Sequence, residues 1–427
     1  MRKLLVLLAA VALVVAFTVP ATAFESEFGG YWRTRAYSQT DFSGKPETIT
    51  TETTYAIDDD EDSATFGEII STDTDVSDNQ DLTQVDTRLR LYYTAKFSDD
   101  LKVVNKFEGD ATYGLPEYGD IGADGTVLEI KNSYVDFNLQ PFNFKIGVQG
   151  TAIARGFLFD DDHAGLVVAY KGETVTVPII WIKVYEGGVG KDANDQDVDY
   201  YAISPSFKLG ALSINPYILT AKADKASTDW GKLDLTWIGV DVDATLGAVS
   251  WWLTAISESG STDSTDVSAT LFALGASVPL GPASLHAQLF TATGDDAATA
   301  DIEGFMVPAG QCYYWSEIMG YGTLDDVAVS AGSPDCAISN IMAYNIGASF
   351  KPMDKMTITV DLWTATLNEV AAGEKDDLGT EIDLKLTYNF LDNMTLDVIA
   401  AQLQAGEATG DGTKDPTEYG AQLSIAF

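Results

Sequence analysis

Between Val85 and Phe97, every second side chain is built for a different solvent. Val85, Thr87, Leu89, Leu91, Tyr93, Ala95 and Phe97 point one way. Asp86, Arg88, Arg90, Tyr92, Thr94 and Lys96 point the other. Successive side chains of a strand face opposite sides of a sheet, so this segment has one apolar and one wet face. Ile382, Leu384, Leu386, Tyr388 and Phe390 alternate with Glu381, Asp383, Lys385, Thr387 and Asn389 in the same way. A slip of one residue would exchange the two faces completely, so register is firmly specified.

About 18 such segments run from residue 27 to residue 427, an even number, with 16 as the alternative count. Their connections alternate from end to end. One kind is very short, as at Ser98-Asp99-Asp100, Gly281-Pro282 and Asp392-Asn393; the other is long and acidic, as at 38–83, 294–340 and 368–379. Beyond residue 23 no run of about 20 apolar residues is long enough for a membrane-spanning helix. A mean hydropathy of +0.01 leaves a soluble secreted β-protein or a membrane barrel, whose lipid-facing and lumen-facing residues average out. The strict alternation of short turns with long loops favours the barrel.

Both ends of the chain agree. Arg2 and Lys3, an apolar run from Leu4 to Val19, and Pro20-Ala21-Thr22-Ala23 have the layout of a cleaved signal peptide over residues 1–23. At the other end Tyr419, Ala421, Leu423, Ile425 and Phe427 share one face, and the sequence stops on the aromatic ring. This segment resembles the closing strand of Gram-negative outer-membrane barrels, and the chain as a whole resembles their porins, including the trimeric general-diffusion type. That resemblance implies recognition of Tyr419, Leu423, Ile425 and Phe427 by the barrel assembly machinery, contact with outer-membrane lipid and lipopolysaccharide, and assembly as a homotrimer. The expected fold is therefore all-β: residues 24–427 form a single transmembrane antiparallel up-and-down β-barrel enclosing an aqueous channel.

Charges on the wet faces mark the interior. Arg33 and Arg35 on the first segment, Arg88 and Arg90 on the second, and Lys102 and Lys106 on the third form a candidate basic wall, with Glu108 and Asp110 beyond it. Each cation facing lipid at the midplane would cost about 2–4 kcal/mol, so these side chains belong in the lumen. The connection 151–163 carries Arg155, Asp160, Asp161 and Asp162. By resemblance to general porins, whose third long loop folds inward, it is the expected constriction loop, an acidic loop against a basic wall. With the two signs facing each other, a weak cation preference is expected. The stretch 127–138 slips phase near Asn132, and Val175–Ile182 is almost wholly apolar and contains Pro178.

Cys312 and Cys336 are the only cysteines and share one polar stretch. With export expected, they read as a disulfide, worth about 3 kcal/mol in the chain-entropy model. The formal charge of −39, or −41 once Arg2 and Lys3 leave with the leader, argues against nucleic acid as a partner. Acidic loops of this kind suit a surface that binds divalent cations among lipopolysaccharide, or simply a solvated one. The run Asp58–Asp62 reads as solvated charge, and Asp192–Asp197 lacks the full calcium-loop pattern. No metal cluster, phosphate loop, dinucleotide fingerprint or haem-attachment motif is present, so no cofactor or metal site is expected. Ser284 and His286 share a face but lack a visible third member for nucleophilic catalysis. Trp230, Trp237, Trp251 and Trp252 cluster on one wall without forming a long aromatic run.

The expected function is passive diffusion of ions and small hydrophilic solutes through a porin, which is not an enzyme. The alternatives are a barrel sleeve around a partner such as an electron-transfer conduit, and an outer-membrane hydrolase using Ser284 and His286.

Overall fold

The computed structural model of the protein describes residues 24–427 apart from 43–49, 58–68, 78–80, 116–118, 120, 122–127, 188–196, 228–230, 264, 325–334 and 410–413. The leader 1–23, the acidic run Asp58–Asp62, Trp230 and residues 192–196 lie outside this set.

The wall begins with β1 (Glu25–Thr40). A separate hairpin of β2 (Thr50–Ile57) and β3 (Ile69–Ser77) lies in the following connection. The wall continues through β4 (Leu82–Ser98), β5 (Leu101–Thr112), β6 (Glu129–Leu139), β7 (Phe142–Ile153), β8 (Phe159–Lys171) and β9 (Val175–Tyr185). Next come β10 (Val198–Ile203), β11 (Ser206–Leu209), β12 (Leu212–Ser227), β13 (Gly231–Leu246), β14 (Val249–Thr262), β15 (Thr265–Leu280) and β16 (Ala283–Ala292). It ends with β17 (Ile341–Met353), β18 (Met356–Thr366), β19 (Asp377–Leu391), β20 (Met394–Ala405) and β21 (Thr417–Ala426). Each strand pairs antiparallel with its neighbours, and β1 pairs with both β4 and β21, so the sheet closes on itself. The short β10 and β11 share one position between β9 and β12, which makes an 18-strand barrel.

Two local breaks have causes legible in the residues. Pro178 in β9 has no N–H to donate, and the adjacent strand is interrupted opposite it at Ser204–Pro205, between β10 and β11. Lys131 is the extra residue of a bulge, where the β5–β6 register shifts between Lys106 and Phe107. This is the phase slip near Asn132.

At the seam, Gly30 N donates to Phe427 O at 2.8 Å and Phe427 N to Gly30 O at 3.1 Å. A Cβ on Gly30 would lie 2.5 Å from the Phe427 ring and 2.6 Å from Arg90 O, so the ring needs glycine beneath it. Tyr419 and Phe427 are about 60% exposed on the outer face, which Leu423 and Ile425 share by strand parity.

The interior departs from an open water-filled channel. In β15, Val267, Ala269, Leu271 and Ala273 are buried inward while Phe272 and Leu274 are exposed outward. Strands β9 to β19 carry much of this inner apolar layer, and it packs against chain segments folded into the barrel. Part of the lumen is filled on that side, where inward residues such as Leu235, Leu271 and Ile341 are apolar.

Candidate pore lining and its constriction

The polar side of the lumen is built by β1, β4, β5 and β6. Register sets Arg35 opposite Asp86, Arg88 opposite Asp110, Arg90 opposite Glu108 and Lys102 opposite Asp136. Each rung joins opposite charges. Arg35 grips Asp86 with both Nε (2.9 Å) and Nη2 (2.6 Å). Arg88 holds Asp110 in the same way at 2.7 and 2.6 Å. Arg90 pairs with Glu108, and Lys102 with Asp136 at 3.4 Å. Lys131, brought in by the bulge, lies 3.8 Å from Glu108 and 3.9 Å from Asp162. Directly opposed charges attract across a strand pair, and the bidentate guanidinium–carboxylate geometry is the strongest form.

Arg33, Arg35, Arg88, Arg90, Lys102 and Lys106 lie on one face of this wall, which is not purely basic: Arg35, Arg88, Arg90 and Lys102 sit in paired rungs, while Arg33 faces Arg88 and Lys106 faces Tyr92 and Asn132. The carboxylates were visible in the sequence; the register that places them opposite the arginines was not. A cavity of about 550 Å³ lies against Arg33, Arg35, Asp86, Arg88 and Asp110.

The expected constriction loop 151–163 is corrected by the strands. β7 runs to Ile153 and β8 starts at Phe159, so only residues 154–158 connect them. Asp160, Asp161 and Asp162 are strand residues, paired with Ala152, Thr151 and Gly150, and not loop residues. An apolar tip, Phe157-Leu158-Phe159, buries itself and draws both strands further than their acidic residues suggest. Arg155, with a left-handed φ of 57°, turns that tip. It forms an ion pair with Asp243 of β13 at 2.7 Å and sits 5.1 Å from the Trp252 ring centroid. Phe157 stacks on Tyr313 with centroids 3.7 Å apart.

Tyr313 belongs to the larger inward element, the connection between β16 and β17. Met306 N donates to Glu258 on β14 (2.9 Å), and Ala309 N to the Tyr200 hydroxyl on β10 (2.9 Å). The Tyr313 hydroxyl donates to Gln288 on β16 at 2.8 Å. Ile318 N and Met319 N donate to the two oxygens of Glu381 on β19, at 2.7 and 2.8 Å. Arg35 on β1 donates to Leu324 O at 2.7 Å. Asp160 N on β8 donates to Gly310 O at 2.7 Å, so the connection has anchors from β8 round to β1.

Cys312 and Cys336 are bonded, with Cα atoms 4.6 Å apart, and so staple this connection. Phe305, Ile318, Met319, Leu324 and Ile338 are fully buried by it. Each such side chain contributes about 1.5–3 kcal/mol, whereas a partly exposed ion pair such as Arg155–Asp243 contributes at most about 1 kcal/mol. Apolar contact holds the inward element; charge orients it. Its polar, glycine-rich composition is that of an exposed loop; the signal that it folds inward is the apolar inward side chains of the strands it covers, such as Leu271 and Ala273.

His286 Nε2 lies 2.7 Å from Asp361 Oδ1, which supplies the third group missing from the sequence. Ser284 makes no side-chain hydrogen bond to His286 among the described residues, so no nucleophile–base pair forms. His163 is buried beside the Thr151 hydroxyl, 2.9 Å from its Nε2.

No protein-family model matches the chain, and no curated protein matches it. Solved structures do match across nearly its whole length. Pseudomonas aeruginosa OccD3 (OpdP) aligns with a TM-score of 0.58 and 11% identity, covering 96% of this chain and 93% of that one. OccK8 (OprE) from the same organism gives 0.58 and 11%, covering 94% and 98%. P. aeruginosa OpdK, solved with vanillate, gives 0.57 and 9%, covering 94% and 98%. At these identities the likeness establishes the fold: a closed antiparallel 18-strand barrel of the type found in outer-membrane porins.

Proposed function

We propose that the protein is an outer-membrane porin through which ions and small hydrophilic solutes diffuse passively. The observation that carries this reading is the asymmetric lumen. One side is packed by the disulfide-stapled connection, and the other presents charged rungs from Arg33 to Lys131 that only water or a polar solute can solvate. A route along β4 to β7 follows. The match over 94% of the chain to OpdK, which was solved with vanillate, supports a solute channel of the same general kind.

The proposal includes export through the leader 1–23, assembly by recognition of the strand ending at Phe427, contact with lipopolysaccharide, and side-by-side packing of three barrels by resemblance to general porins. The sleeve alternative loses support because the described residues of the connection between β16 and β17 pack inside the barrel, where a partner protein would sit. The hydrolase alternative loses support because Ser284 is not engaged by His286.

Reconstitution of the detergent-folded protein in a planar bilayer tests the reading. Stable current steps, grouped in threes for the trimer, are the expected result. Folded, heat-modifiable protein that inserts without conducting would overturn it.

A further inference from the structure

A second cavity, of about 630 Å³, lies at the short-turn end of the barrel beneath the inward connection. It is separate from the charged wall and differs from it chemically. Trp252 on β14 and Trp363 on β18 line it from the wall, and Trp315 of the inward connection closes it from above. Trp315 and Trp363 pack edge to face, with centroids 5.2 Å apart, so the roof and wall form one rigid aromatic corner.

The polar groups of the cavity are held but only half used. Asp361 Oδ1 accepts from Asn345 Nδ2 at 2.9 Å and lies 2.7 Å from His286 Nε2. Its Oδ2 takes no protein hydrogen bond among the described residues. Gln288 Oε1 accepts from Tyr313, which leaves its Nε2 to donate. Asn345 gives its amide hydrogens away and keeps Oδ1 as an acceptor. Gly347 lies beneath the His286–Asp361 pair, where a Cβ would collide with both side chains. The wall is therefore shaped to let that pair lie flat.

We propose that this cavity is a binding subsite for a neutral polyhydroxylated ring, a mono- or disaccharide entering from the short-turn end of the barrel. The inference rests on the channel reading given above. A hydroxyl both donates and accepts, so it is the group that satisfies the Gln288 amide and the Asp361 and Asn345 oxygens within one small volume. A sugar ring also presents C–H faces to the indoles. An anion would meet the Asp361 and Asp243 carboxylates. A cation would meet Lys208, which lines the same cavity. The volume is within the range of roughly 300–1,000 Å³ usual for small-molecule sites.

Tryptophan fluorescence of the full, detergent-folded protein, titrated with maltose, choline and benzoate, tests this without requiring conduction. Maltose is expected to give a saturable emission change, with neither charged probe doing so over the same range. Asp361→Asn is expected to weaken maltose binding about tenfold. Trp315→Phe, which keeps a ring in the roof, is expected to retain affinity while losing signal amplitude. Absence of a saturable change with maltose in the wild-type protein, or saturation by choline or benzoate alone, would overturn the proposal. Current steps in a bilayer without a maltose response would sink the sugar site and leave the channel intact. A maltose response without current would do the reverse.

Discussion

Arg155 and Asp243 meet at 2.7 Å across the inside of the barrel, one on the tip between β7 and β8, the other on β13. This contact ties two wall segments that share no backbone pairing. Both side chains keep some solvent access, at 26% and 46% exposure, so their coupling is modest. A double-mutant cycle with Arg155→Ala and Asp243→Asn is expected to give about 0.5–1 kcal/mol by chemical denaturation. Arg155→Ala alone is expected to raise unitary conductance, because it removes a guanidinium from the lumen. Unchanged conductance would place the current elsewhere.

The paired rungs predict how selectivity responds to charge removal. Replacing Arg33, Arg35, Arg88 and Arg90 with glutamine leaves Asp86, Glu108 and Asp110 without their guanidinium partners. The reversal potential under a salt gradient is expected to shift toward cations, and most strongly at low salt, where screening is weakest. A shift toward anions, or none, would mean the wall does not line the narrow part of the route.

The Cys312–Cys336 bond closes a sequence separation of 24 residues. Replacing both cysteines with serine is expected to cost the docked connection about 3 kcal/mol in the chain-entropy model. The barrel should keep its heat-modifiable mobility, because its wall does not depend on the bond. The connection 294–340 should become protease-sensitive, and the open-channel current noisier. Equal protease resistance with and without the bond would show that apolar packing alone holds the connection.

Architecture was the legible part of this chain. Alternation within Val85–Phe97 and around Glu381–Lys385 sets the wall and the face each side chain takes, and the seam at Phe427 follows from the final strand. The site was less legible, because two kinds of information are missing from a strand pattern. One is which carboxylate faces which arginine, as Asp86 faces Arg35, since that depends on register between strands. The other is what covers an inward apolar residue. Leu271 and Phe272 look alike in sequence, yet one is sealed by a folded-in connection and the other faces outward. Asp160–Asp162 misled for a related reason: local acidity suggested a loop, while burial of Phe157 and Leu158 drew the residues into β8.

Glu317 sits in the inward connection, where burial pushes its carboxyl above the ordinary carboxylate range against the opposing effect of hydrogen bonds from Thr323. A raised folded-state value means the folded form binds the proton more tightly. The stabilisation is therefore full below the unfolded value of 4.5 and is lost as pH rises through the folded value. Hydrogen exchange across residues 311–324 is expected to quicken over that rise, beyond the intrinsic effect of pH, and Glu317→Gln should flatten the dependence. A wild-type connection that tightens as pH rises would contradict the assignment.

The central claim is that solutes travel along the charged wall while the inward connection blocks a through-route along the opposite half of the lumen. Its most direct test uses single introduced cysteines, since the native pair is already bonded. Arg88→Cys is expected to react with a charged methanethiosulfonate reagent in an open channel and to change the unitary current at once. Ala273→Cys, on the sealed inner face of β15, is expected neither to react nor to alter the current. Current changes at Ala273→Cys with none at Arg88→Cys would contradict the account.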